Sequence, residues 1–192
     1  MKKIILLGAV SFLSVSLFAQ SFGVRAGVNI SNVKIKSQGF SVMPTANAGI
    51  NAGIFVNFPI ALNVSIQPEL AYSGMGFKVS SSGIDSTEST GYIVLPLLVR
   101  VKIPTTGLSF FAGPQYGVLI SAKDKTGGES TDVKDAYKTG DFSAIAGLEY
   151  SLKFGLFLSA RYQAGLSNVS KGDFEDVTEK NSSVTILLGF KF

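Results

Sequence analysis

Hydrophobic and polar residues alternate one by one through much of the chain from residue 22 onward. In Phe22-Gly23-Val24-Arg25-Ala26-Gly27-Val28-Asn29-Ile30 every even position is apolar and every odd one is glycine or polar. Even-numbered positions stay apolar through 48–58, where odd-numbered Phe55 breaks the alternation, and through 62–70, 142–150, 156–166 and 184–192. Successive side chains of a strand point to opposite faces, so this alternation predicts strands with one apolar and one polar face. Two further strands, over 92–102 and 108–121, are less regular and bring the number to eight.

The links between these strands alternate in length. Those near Pro59–Ala61, Pro104–Gly107 and Lys153–Gly155 are tight and carry turn-forming residues. Between them lie four longer polar links, roughly 33–45, 80–90, 122–140 and 168–182. An even number of strands with alternating short and long links predicts an up-and-down antiparallel β-barrel, and in an outer membrane the short turns and both termini face the periplasm.

Alternation alone leaves open whether the apolar face points inward, as in a soluble lipocalin-like barrel, or outward into lipid. The other face decides. A water-facing surface would be rich in Lys and Glu, whereas this one is mainly Gly, Ser, Asn and Gln with isolated charges at Arg25, Glu69, Arg100, Lys102, Glu149, Arg161 and Lys191. Small groups suit the lumen of an eight-stranded barrel, which is just wide enough for side chains to fill. The apolar face carries no charge in any of these strands, as a bilayer requires, since Arg or Lys facing lipid at mid-depth costs about 2–4 kcal/mol. The reading is therefore all-β: an eight-stranded transmembrane barrel with even-numbered apolar positions toward lipid in most strands.

Composition agrees. Of 192 residues, 21 are glycine and only 16% are charged, against about 25% in soluble domains. There is no Trp, so the interfacial aromatics are expected to be Phe and Tyr, for example Phe58, Tyr150, Phe190 and Phe192. Pro68, Pro96 and Pro114 fall within strands, where each removes a ladder donor; bulges are the expected accommodation.

The first residues read as an export signal. Lys2 and Lys3 precede an apolar stretch, Ile4 to Phe18, and Ala19 supplies a small residue for cleavage. The stretch is short of the roughly 20 residues a membrane-spanning helix needs. Residues 1–19 are thus expected to be removed, leaving a barrel domain over 20–192 that begins at Gln20. Without Lys2 and Lys3, fifteen basic and thirteen acidic side chains remain, with no basic run that would suit nucleic acid.

The chain has no Cys and no His. That removes disulfides, thiolate metal sites, ordinary zinc sites and any hydrolase that shuttles a proton through imidazole. Glu69 and Glu149 could pair as acid and base, but salt bridging to Arg25, Arg100 and Arg161 in a filled lumen is the favoured reading, because buried charges must be paired. Asp173, Glu175, Asp176 and Glu179 lack the spacing of a calcium loop and read as a solvated acidic loop. Lys171, Lys180 and the mixed charges of 123–138 read as ordinary surface. Gly147 and Gly165 are read as allowing close packing or barrel curvature. No metal, cofactor or catalytic residue is expected.

Pro68-Glu69-Leu70-Ala71-Tyr72-Ser73, Tyr92-Ile93-Val94-Leu95-Pro96-Leu97-Leu98-Val99 and Gly113-Pro114-Gln115-Tyr116-Gly117 resemble the outer-membrane β-barrel domain of the porin/PorT-like family, an OmpA/OmpX-like eight-stranded barrel. The terminal Phe190-Lys191-Phe192 looks like the aromatic signal read by the barrel-assembly machinery, a partner during biogenesis. The resemblance covers about 20–192 and implies an integral protein of the outer membrane with lipid around it. It is weak for activity. The expected role is non-enzymatic, as an envelope component or a surface-interaction scaffold that could meet an extracellular ligand through its loops. The alternative is a narrow channel or a conduit for small or hydrophobic solutes.

Overall fold

The computed structural model describes residues 20–37, 40–42, 45–81, 84–126, 129–169 and 178–192. Eight long strands follow one another: β1 (Ser21–Ser37), β2 (Thr45–Ala61), β3 (Val64–Ser81), β4 (Ile84–Lys102), β5 (Leu108–Thr126), β6 (Gly140–Ser151), β7 (Leu156–Gly165) and β8 (Thr178–Lys191). Each pairs antiparallel with the next, and β8 pairs back onto β1 from Gly23↔Lys191 to Lys36↔Thr178. The sheet therefore closes on itself, which satisfies strand edges that hydrocarbon could not. The three tight links and both ends of the barrel domain gather at one end of the barrel, here the turn end. The longer links gather at the loop end.

The strands outlast their hydrophobic pattern. Much of what reads as loop over 33–45 and 80–90 is ladder: β1 runs to Ser37, β2 starts at Thr45, and β3 and β4 stay paired as far as Ser81↔Ile84. Short strands Phe40–Val42 and Glu129–Asp132 fold back on the ends of β1 and β5. Backbone hydrogen bonds continue beyond the zone where one face must be apolar, so alternation ends before the strand does. At the turn end, Pro59 belongs to β2 and the turn falls at Leu62-Asn63. The other two turns use left-handed backbone at Thr105, Gly107 and Gly155 (φ 67°, 76° and 97°). The proposed export signal and the Asp173, Glu175 and Asp176 cluster lie outside the described residues, as does the side chain of Glu179.

Among the described side chains, the even-numbered ones face outward on β1, β2, β3, β6, β7 and β8, and on β5 as far as Ile120. β4 is reversed: Leu95, Leu97, Val99 and Val101 face out, while Tyr92, Val94, Leu98 and Arg100 are buried. Its irregular pattern arises because both of its faces are apolar. Aromatic side chains mark the outer wall at two levels. Phe22, Phe110, Tyr150 and Phe192 stand near the turn end; Tyr72, Tyr116 and Phe142 lie nearer the loop end, with Tyr116 six residues from Phe110 and Phe142 eight from Tyr150. Tilted strands make that roughly 15–20 Å of height, which fits within the apolar band of an outer-membrane barrel.

Pro68, Pro96 and Pro114 sit without bulges. Register is unchanged on either side of each, but the ladder skips 56–57 against 67–68, 69–70 against 95–96, and 97–98 against 113–114. Pro68, Pro96 and Pro114 each lie in one of these gaps. The gaps step across three adjacent ladders as a diagonal seam. The missing N–H groups are absorbed as skipped pairs with no change of register.

Candidate functional site

The lumen collects the buried polar groups of this chain, and the strand register explains which ones meet. Glu69 on β3 lies between two guanidiniums. Arg25 Nη2 is 2.8 Å from Glu69 Oε2, and Arg161 donates from both terminal nitrogens at 2.7 and 3.0 Å. Glu149 on β6 takes the second set, accepting from both terminal nitrogens of Arg100, from Lys191 Nζ and from Ser151 Oγ. Gln67 joins the two sets: its Nε2 donates to Glu69 at 2.7 Å, and its Oε1 accepts from Asn57 and Arg100. Farther along, Arg25 donates to Asn51, Asn51 and Asn29 donate to Ser73, and Thr185 donates to Asn29. A continuous chain of side-chain bonds thus runs from the turn end into the middle of the barrel.

Of the charges expected in the lumen, Arg25, Glu69, Arg100, Glu149 and Arg161 are buried, and Lys191 reaches Glu149 from the rim. Lys102 differs. It shares the parity of Arg100 but stands exposed at the turn-end mouth, with no ion pair among the described residues. Glu69 and Glu149 therefore each serve two cations. Neither faces an empty cleft as a free acid or base would, since all four oxygens are engaged.

Two features escaped the sequence reading. One is an aromatic layer around the ion pairs. Phe55, Phe111 and Phe157 point inward and lie on Gly23, Gly147 and Gly189, their register partners on neighbouring strands. A Cβ on any of those glycines would come within 2.5 Å of the facing ring. Phe55 and Phe157 meet edge to face at 5.7 Å, and Arg161 and Lys191 sit over Phe111 and Phe157 at 4.9 and 5.0 Å. The break in parity at Phe55 was a visible sign of this layer, and Gly147 was read as allowing close packing; which ring faces which glycine follows only from the register.

The other feature is a plug toward the loop end. Ala71, Met75, Tyr92, Val94, Leu119 and Ala122 form an apolar cluster, and Val133 and Tyr137 of the β5–β6 link pack against it. Backbone bonds tie that link down, from Leu119 to Thr139, Val133 to Ala122 and Lys138 to Val169. Beneath the cluster Asn181 donates to Tyr92 Oη and to Asp141, which also accepts from Ser167. Asp141 continues the odd parity of Ser143 and Glu149 one step past the predicted strand, which was the signal for it.

Phe190 and Phe192 lie on the outer face at the turn end. Phe192 stacks on Phe22 at 4.9 Å and donates its N–H to the Phe22 carbonyl, closing the barrel seam.

A family model described as outer membrane protein beta-barrel domain matches residues 18–171. The chain belongs to that family. Solved barrels share its fold. Neisserial surface protein A superposes with a TM-score of 0.58 at 15% identity, covering 89% of this chain and 97% of its own. Ail, the attachment invasion locus protein of Yersinia pestis, gives 0.51 at 15% identity over 90% and 98%. At this identity the likeness is one of fold. No curated protein is similar enough in sequence to match. As a member of the outer-membrane barrel family, the chain is a closed eight-stranded barrel of the outer membrane, which agrees with its charge-free outer wall.

Proposed function

We propose that this protein is a non-enzymatic barrel whose lumen is closed by its own side chains, and which acts as an envelope component or a surface-interaction scaffold. Residues 1–19 are the export signal in this reading, Phe190 and Phe192 the signal for assembly into the membrane, and Phe192 marks the periplasmic end. The hairpins at the loop end, among them the extended β3–β4 ladder, are then presented outside, where binding surfaces on rigid scaffolds lie.

The observation that carries the closed-lumen reading is the contact of Arg161 with Glu69 between strands on opposite sides of the barrel, with the apolar cluster and the β5–β6 link above it. A path for hydrated solutes would have to break the first and displace the second. Single-channel recording in planar bilayers tests this. No steady conductance is expected; ohmic conductance at moderate voltage would overturn the reading in favour of a narrow channel.

A further inference from the structure

We propose that the turn-end mouth of the lumen is a binding site for a phosphate oxyanion. In this half of the lumen Arg25 and Arg161 share Glu69, while Arg100 and Lys191 share Glu149. Two carboxylates thus serve four cations, and each cluster keeps one positive charge unmatched. Buried charge is tolerated when it is paired, and within low-dielectric walls an unmatched cation exerts a field far stronger than it would in water. Three of the five cations in this half, Arg100, Lys102 and Lys191, open onto one cavity of about 270 Å³ at the turn end.

The cavity also has the neutral donors such a ligand needs. Asn57, Ser65 and Ser109 line it together with the three cations. Phosphate oxygens take charge-assisted hydrogen bonds from Arg and Lys and ordinary ones from hydroxyls and amides. Glu149 lies behind Arg100 and Lys191 with its oxygens already occupied, so it holds those cations in place. Lys102 is the part of the site free to respond, because it is exposed and bonded to no carboxylate among the described residues. The volume admits inorganic phosphate or a lipid phosphate headgroup reaching over the rim; the two share the same chemistry. Anion binding at the mouth is independent of whether the lumen conducts, so the bilayer experiment and this one can fail separately.

The test is a titration of the folded full-length barrel in a maltoside detergent free of phosphate. Inorganic phosphate is added at constant ionic strength, and backbone amide shifts are followed by NMR. Saturable shifts at Ser65, Arg100 and Ser109 are expected. Lys102→Glu should weaken binding by about ten-fold or more, and Lys102→Arg should hold it within about two-fold. Lys134→Glu, the same charge change on an exposed residue at the loop end, should leave it unaltered. Heat-modifiable migration confirms that each variant is folded, which an exposed position should permit. A linear, unsaturable response, or equal weakening by Lys102→Glu and Lys134→Glu, would overturn the site. In a second arm, a short-chain phosphatidylglycerol is added to the phosphate-loaded barrel. Competitive displacement supports the site with a lipid headgroup as its natural ligand; undisturbed phosphate binding supports it with soluble phosphate.

Discussion

Glu69 of β3 and Arg161 of β7 meet across the full width of the lumen, four strands apart whichever way the barrel is followed, through hydrogen bonds of 2.7 and 3.0 Å. Arg25 holds the same carboxylate from β1 at 2.8 Å. Glu69 therefore connects three strands that share no single hydrogen-bond ladder. Glu69→Gln leaves two buried guanidiniums facing one another with no anion between them. Breaking a buried pair from one side costs about 3–5 kcal/mol. A loss near the lower figure is expected in urea unfolding from lipid vesicles, along with a lower temperature for loss of the heat-modifiable band. Unchanged stability would mean that the pair is incidental to closure.

The ring-on-glycine pairs are a second, independent source of lumen stability. In Gly189→Ala the new Cβ would lie 2.2 Å from Phe157 Cζ and 2.6 Å from the Val24 carbonyl oxygen. Overpacking of this kind costs about 1–3 kcal/mol. Phe157→Leu removes the ring but not the carbonyl, so the double variant should recover part of that loss. A double-mutant cycle in urea is expected to show a coupling above about 0.5 kcal/mol. Additive losses would show that the ring moves aside freely.

How far these contacts were legible in the sequence follows from how each is encoded. The parity of Arg25, Glu69, Glu149 and Arg161 assigns them to the polar face, and the closed barrel then leaves that face nowhere to point but the lumen. Parity carries no height, however. It could not separate Lys102 at the exposed mouth from Arg100 one step inside it, nor show that Glu69 lies level with Arg161 rather than Arg100. Those relations depend on register around the whole barrel. β4 was hard to read for a different reason: Leu98 and Val94 line an apolar layer inside while Leu97 and Val99 face lipid, so both faces are hydrophobic and the period vanishes. Above the membrane the reverse holds, and the paired but polar ends of β3 and β4 look like loop.

The proline seam should be the softest part of the wall. Its skipped pairs cross the β2–β3, β3–β4 and β4–β5 ladders, whereas the β8–β1 ladder is unbroken from Gly23 to Lys36. Amides bordering the seam, such as those of Gln67, Leu95 and Leu98, are expected to exchange with deuterium faster than Val28 or Ile186, which pair with each other in the unbroken ladder. Pro96→Ala restores a backbone donor and should slow its neighbours, with a stability gain of up to about 1 kcal/mol. Uniform protection across both regions would refute the idea that skipped pairs weaken the wall.

Ile186 and Leu187 are adjacent in sequence and similar in size, yet β8 turns the first outward and buries the second completely in the lumen. Their substitutions should therefore fail for different reasons. Ile186→Arg places a charge against hydrocarbon near mid-depth, a cost of about 2–4 kcal/mol that exists only while lipid surrounds the barrel. Leu187→Ala opens a cavity among lumenal side chains, a cost of about 2–5 kcal/mol set by packing alone. Measured in vesicles, both variants should be destabilised by similar amounts. Measured in detergent micelles, where water reaches the outer surface more readily, the Ile186→Arg penalty should shrink while that of Leu187→Ala persists. Equal behaviour in the two media would contradict the assigned polarity of the wall, because it would require both side chains to share one environment.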